Sequence, residues 1–114
     1  MNTLHDQIDN LRSVQAETLK FFASSRGTTF SSASAERADE RKTARFTKRE
    51  DQARLAIADC PSSNLVDVCA KMAVLIDLQE QCGSWCGADG KALAASIKAD
   101  MKALVPSFAH RRAA

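Results

Sequence analysis

The stretch Asn64–Gln81, NLVDVCAKMAVLIDLQEQ, decides the fold class of this chain. At about 100° per residue, its apolar members cover roughly two-thirds of a helix's circumference. They are Leu65, Val66, Val68, Cys69, Met72, Ala73, Val74, Leu75, Ile76 and Leu78. A helix apolar so far round has to contact more than one neighbour, so a helical assembly of several elements is expected about it. Just upstream, Cys60-Pro61-Ser62-Ser63 marks a boundary. The residue before a proline is driven out of the α region, and Ser63 is a suitable cap for the helix that follows.

Working outward, a second helix is expected over about 34–58, with a thin apolar stripe of Ala35, Ala38, Phe46, Ala53 and Ile57. The core should claim Phe46. Ser24–Ser34, SSRGTTFSSAS, has no hydrophobic period and reads as a loop, with Phe30 its one large apolar residue. Before it, Leu4, Ile8, Leu11, Leu19 and Phe22 recur at helical spacing, widened by Val14 and Phe21, and predict a first helix over about 4–23 capped by Thr3. Helices one and two extend about 30 and 35 Å at 1.5 Å per residue, lengths that suit an antiparallel hairpin. Downstream, the third helix ends near Gln81, Gly83 and Gly87 bracket a tight connection, and Asp89 is expected to cap a fourth helix over about 90–104. Leu93, Ile97, Met101 and Leu104 give that helix one apolar face. The fold class is all-α: four helices, a long antiparallel N-terminal hairpin and a shorter C-terminal pair, bundle-like, in one domain over 1–106 with a basic tail at 107–114.

The totals agree with one small domain. The 114 residues are 45% hydrophobic and 26% charged, with four Gly, two Pro, five Phe, one Trp and no Tyr, so the core has to be built mainly from aliphatic residues and alanine. No basic-then-apolar leader opens the chain and no window is long and apolar enough to span a membrane, so a cytoplasmic protein is expected.

Four cysteines are the only reactive set, and their spacing argues against metal. Three residues lie between Cys82 and Cys86 instead of the two of a zinc knuckle, and His5 and His110 are distant in sequence. Reduced thiols are the default without export, and Cys69 reads as a small hydrophobe on the apolar face. With two histidines at opposite ends and no glycine-rich phosphate loop, no nucleophile–base–orienter set assembles, so no enzyme and no cofactor is expected.

Charge is the informative feature that remains. On the second helix Arg37, Arg41, Arg45, Lys48 and Arg49, joined by Lys42, project within about 140° of one another, and Glu36, Asp39, Glu40, Glu50 and Asp51 occupy the other flank. A docking stripe for an acidic protein surface or for phosphates is the functional expectation; a solvated face is the bland one. Phe30 and Trp85 join the stripe as candidate partner-binding residues, Trp85 because a lone tryptophan is a favoured interface anchor. The function expected is a protein-binding regulator or antagonist that forms a homodimer, with a monomeric bundle as the structural alternative. A nucleic-acid-associated protein, using the stripe and the Arg111-Arg112 tail, is the second choice. The segment from Ala44 through Lys71, a charged helix, a proline break and then Ser-Ser-x-Leu-x-x-Val-x-Ala-Lys, resembles small uncharacterised helical proteins of bacterial and prophage genomes. That resemblance implies an all-helical fold in a bacterial or phage setting and transfers no site residue.

Overall fold

A computed structural model of the chain describes residues 3–25, 32–83 and 87–105. They form four helices, α1 (Leu4–Ser25), α2 (Ala33–Asp59), α3 (Leu65–Cys82) and α4 (Ala88–Leu104), and no strand among the described residues. The fold is the all-α bundle its sequence predicts. The tail expected at 107–114 lies outside the described residues.

The ends show why the chain breaks where it does. Thr3 and Asp6 cap α1 reciprocally: the Thr3 N–H donates to the Asp6 carboxylate at 3.1 Å, and the Asp6 N–H to the Thr3 hydroxyl at 3.2 Å. The bond from the Thr3 backbone, then that involving its side chain, holds the Asp6 carboxyl below its ordinary range. Ser32 caps α2 by accepting from Ala35 N at 3.1 Å, and Cys60 leaves the helix in an extended conformation ahead of Pro61. The third helix is capped by Asn64 and not, as expected, by Ser63. Asn64 Oδ1 accepts from Asp67 N at 2.9 Å while Asp67 reaches back to Ser63 N, a pairing that a serine one position earlier cannot make. Gly83 ends α3 in the left-handed region at φ 71°. Gly87 precedes α4 with no side-chain cap; Asp89, the expected cap, lies inside the first turn, buried and turned toward α2.

Helix α2 is the spine. It packs on α1 along one side and on α4 along the other, α4 packs in turn on α3, and α2 and α3 scarcely touch. The hairpin is antiparallel, since Glu17 meets Arg49 and Phe21 meets Phe46. Helix α4 runs alongside α2 in the same direction, with Asp89 at Arg54 and Ser96 at Ala58. Leu4, Ile8, Leu11, Ala53, Ile57, Val74 and Leu93 form the core between them. All of α2's buried residues, Ala53, Arg54 and Ile57, fall near its C-terminal end. The preceding twenty residues, Ala33–Gln52, extend about 30 Å and none of them is buried. The radius of gyration is accordingly 17.7 Å, against about 13 Å for a compact chain of this length.

Two expected apolar rows are displaced by this geometry. Leu19 is 69% exposed and Phe22 is exposed as well, because past Leu11 the side of α1 that meets α2 passes through Val14, Thr18 and Phe21. On α3, Val68, Val74 and Leu78 are buried, whereas Leu65, Val66, Met72 and Ile76 are exposed. Cys69, expected as a buried small hydrophobe, lies on that exposed side too.

Two buried cations, Lys71 and Arg54, knit the bundle. Lys71 is fully buried and its ammonium donates to Asp100 at 2.6 Å and to Ser96 Oγ at 2.8 Å; Ser96 donates onward to the Ala58 carbonyl, and the Ser62 hydroxyl donates to Asp100. Arg54 is buried among Glu50, Asp51 and Asp89. Each such charge is tolerable because its hydrogen bonds are met, and no buried side-chain polar atom among the described residues lacks a partner.

Candidate partner-binding surface

The projecting part of the hairpin carries the cationic stripe. Arg37, Arg41, Arg45, Lys48 and Arg49 are all exposed and lie along about 18 Å of α2. Arg49 is tied to Glu17 across the hairpin at 2.8 Å, leaving the other four facing solvent. The helix's own register builds the stripe, because residues four apart stack on one face.

Below the cations is an aromatic seam that holds the hairpin together where no aliphatic core reaches. Phe21 of α1 stacks on Phe46 of α2 with ring centroids 5.0 Å apart and planes at 26°, and Phe22 lies 5.5 Å from Phe21. Phe46 is half-buried and stands apart from the core cluster, contrary to the expectation that the core would claim it. The reason is positional. It precedes Ala53, the first buried residue of α2, by seven positions, about two helical turns. The Lys42 ammonium lies 5.2 Å from the Phe21 centroid and the Arg49 guanidinium 5.7 Å from that of Phe46, so both aromatic faces are capped by cations. Lys42, Arg45, Phe46 and Arg49 line a shallow depression of about 240 Å³. An apolar floor with a rim of guanidinium and ammonium groups suits a ligand that presents an apolar side chain flanked by acids.

Charge is divided along the molecule. Residues 12–49 contain nine cations against four anions, and residues 1–11 with 50–105 contain ten anions against five cations. A net charge near zero thus conceals a positive outer part of the hairpin, beyond Glu50 and Asp51 at its base, and that part draws acidic groups to itself. Phe30 and Trp85, the two other candidate partner-binding residues, lie outside the described residues, as do Cys86 and the Arg111-Arg112 tail.

Elsewhere the fold brings together groups that sequence spacing holds apart. His5, Cys60 and Asp67 line one groove of about 430 Å³, with His5 Nε2 3.8 Å from Asp67. Cysteine, histidine and carboxylate are the ingredients of a thiol nucleophile, but their arrangement here is a structural one. Cys60 packs against the core at the C-terminal end of α2; Asp67 is spent capping α3; and no hydrogen bond joins Cys60 to His5. The Lys71–Ser96 contact is likewise a lock. The lysine is an ammonium donor to Asp100, and the serine proton goes to a backbone carbonyl, which leaves no base to activate the hydroxyl. Sequence reasoning missed Arg54 and Lys71. Glu50 and Asp51 at the fourth and third positions before Arg54 were a partial signal, whereas the pairing of Lys71 with Asp100 joins residues of different helices and has no local signature. No group of three potential metal ligands occurs among the described residues.

No protein-family model matches the chain, and no curated protein or solved structure is significantly similar to it. The likeness of Ala44–Lys71 to helical proteins of bacterial and prophage genomes therefore stands on those residues alone.

Proposed function

We propose that this protein is a non-enzymatic interaction module, a small regulator or antagonist that grips an acidic segment of a larger protein with the projecting α1–α2 arm. The observation that carries this reading is the depression between Arg45, Lys42 and Arg49 with Phe46 as its floor. Cations alone would serve any polyanion, but an apolar floor rewards a side chain and has no use for a phosphate backbone. Duplex DNA is less well served still. The anionic flank of Glu36, Asp39 and Glu40 would turn toward the opposite wall of a groove, and the seam aromatics face each other across the hairpin instead of standing out to stack on bases. A homodimer belongs to the same reading, with the arm left free for the partner.

The test is a titration of three labelled probes: a Glu-rich peptide with leucines at every fourth position, the same peptide with alanine in place of leucine, and a duplex oligonucleotide. The first is expected to bind tightest. Its affinity should fall about tenfold or more in Arg41→Glu/Arg45→Glu and in Phe46→Ala, and stay unchanged in Lys98→Glu on α4. Equal binding of the two peptides removes the apolar anchor. Preference for the duplex, with affinity falling steeply as salt rises, replaces this function by nucleic-acid association.

A further inference from the structure

We infer that the outward face of α3 is a self-association surface on which a second copy of this chain packs antiparallel. The face consists of Leu65, Cys69, Met72 and Ile76, all exposed, with Val66 and Ala73 at its edge. Val66 is 70% exposed and Ile76 54%, a large outlay of apolar surface for one helix of a small monomer. The spacing of four, three and four residues is that of a coiled-coil seam, and it lies on the side of the helix opposite the buried row Val68, Lys71, Val74 and Leu78. One helix thus has two apolar faces, and the bundle covers only one.

A second copy is the occupant that suits this face, for three reasons. The spacing reads the same in both directions, so a two-fold axis between positions 70 and 71 sets the small Cys69 beside Met72 of the other copy in the two middle layers and Leu65 beside its Ile76 in the two outer ones. No exposed charge interrupts the seam from Leu65 to Ile76, since Asp67 and Lys71 are turned inward, so two copies meet without like charges opposed. The anions Asp77 and Glu80 lie only toward the C-terminal end. Antiparallel packing places them at the positive N-terminal end of the other α3, whereas parallel packing would set them against their own counterparts. The size suits a weak contact. A face one helix wide, about 27 Å by 10–12 Å, presents roughly 270–320 Å² per copy in projection, below the ~800 Å² of a standard interface and of the size a weak, reversible contact takes. That points to a reversible dimer, and it is independent of what the arm binds.

Sedimentation of the full chain is expected to give twice the 12.4 kDa monomer mass at roughly 100 µM, and Met72→Glu/Ile76→Glu to raise the dissociation constant on the order of a hundredfold while melting as the native chain does once both are diluted to monomer. Both substitutions are on the surface, but cross-linking decides even if that variant misfolds. A chain keeping only Cys69 should be joined by a short bis-maleimide, because antiparallel copies hold those thiols across helices 8–10 Å apart with a stagger of about 4.5 Å. A chain keeping only Cys82 should not be, its thiols being about 35 Å apart along the axis. A monomeric mass throughout, a dimer indifferent to Met72→Glu/Ile76→Glu, or cross-linking through Cys82 in place of Cys69 overturns the inference.

Discussion

Lys71 Nζ lies 2.6 Å from Asp100 Oδ2, joining α3 to α4 by a charge pair whose lysine has no solvent exposure at all. Removing one member leaves the other charge buried and unmet, which costs about 3–5 kcal/mol, whereas replacing both with apolar residues of similar volume is often neutral. Asp100→Ala is therefore expected to lower the melting temperature by more than 10 °C, a 1 kcal/mol loss being worth about 4–8 °C in a domain near this size. Lys71→Met/Asp100→Leu should recover most of that loss. Thermal unfolding followed by circular dichroism checks both variants, and a double variant no better than Asp100→Ala would show that Ser62 and Ser96 hold the helices together on their own.

The same pair sets an acid limit. Burial pushes the Asp100 carboxyl upward, but the bonds from Lys71 and from the Ser62 hydroxyl, with the Lys71 charge, outweigh it and hold the group below its ordinary range. A carboxylate lowered on folding contributes stability that is present above its unfolded value near 3.9 and is lost as pH falls through the folded value. Asp51 has the opposite sign. Burial first, then the negative charge of Asp89, raises it, and Arg54 offsets only part of that, so the charged form costs stability at neutral pH and the cost fades as the group protonates. Asp51→Asn is expected to be as stable as the native chain or slightly more so at pH 7, with the difference shrinking toward pH 4. A clear loss at pH 7 would mean that the 3.6 Å contact of Asp51 with Arg54 matters more than its crowding by Asp89.

Four helices were legible in the sequence, with bounds close to those observed, because hydrophobic period, proline, glycine and cap residues are all local signals. The cationic stripe was legible for the same reason. What escaped is non-local. Nothing adjacent to Leu19 says that its row runs past the covered part of α1, and nothing adjacent to Cys69 says which of two apolar faces of α3 the bundle covers. Lys71 reads as an interruption of an apolar run until α4 brings Asp100 to it. The seam of Phe21 on Phe46 required the register of the hairpin, which neither helix encodes alone.

The arm should open before the body does. Ala33–Gln52 contains no buried residue, so its helical hydrogen bonds rest on α1, the aromatic seam and the Glu17–Arg49 pair. Hydrogen exchange is expected to show amides of Ala35–Arg45 exchanging by local opening well below the global unfolding free energy, and those of Val68–Leu78 near it. Phe46→Ala should lower arm protection further and leave that of α3 unaltered. Uniform protection along α2 would mean that the hairpin tip has support beyond the described residues.

Gly83 offers a test of chain geometry free of packing. Its φ of 71° is one that residues other than glycine enter at a cost, and a Cβ built there meets nothing within 4 Å among the described residues. Gly83→Ala is therefore expected to cost about 1 kcal/mol from the backbone alone, seen as a fall of a few degrees in melting temperature with no change in oligomeric state. Gly83→Asn should cost less, since asparagine tolerates the left-handed region better than alanine does. If the two variants were equally damaging, the loss would come from an altered course of the α3–α4 connection and not from the left-handed cap.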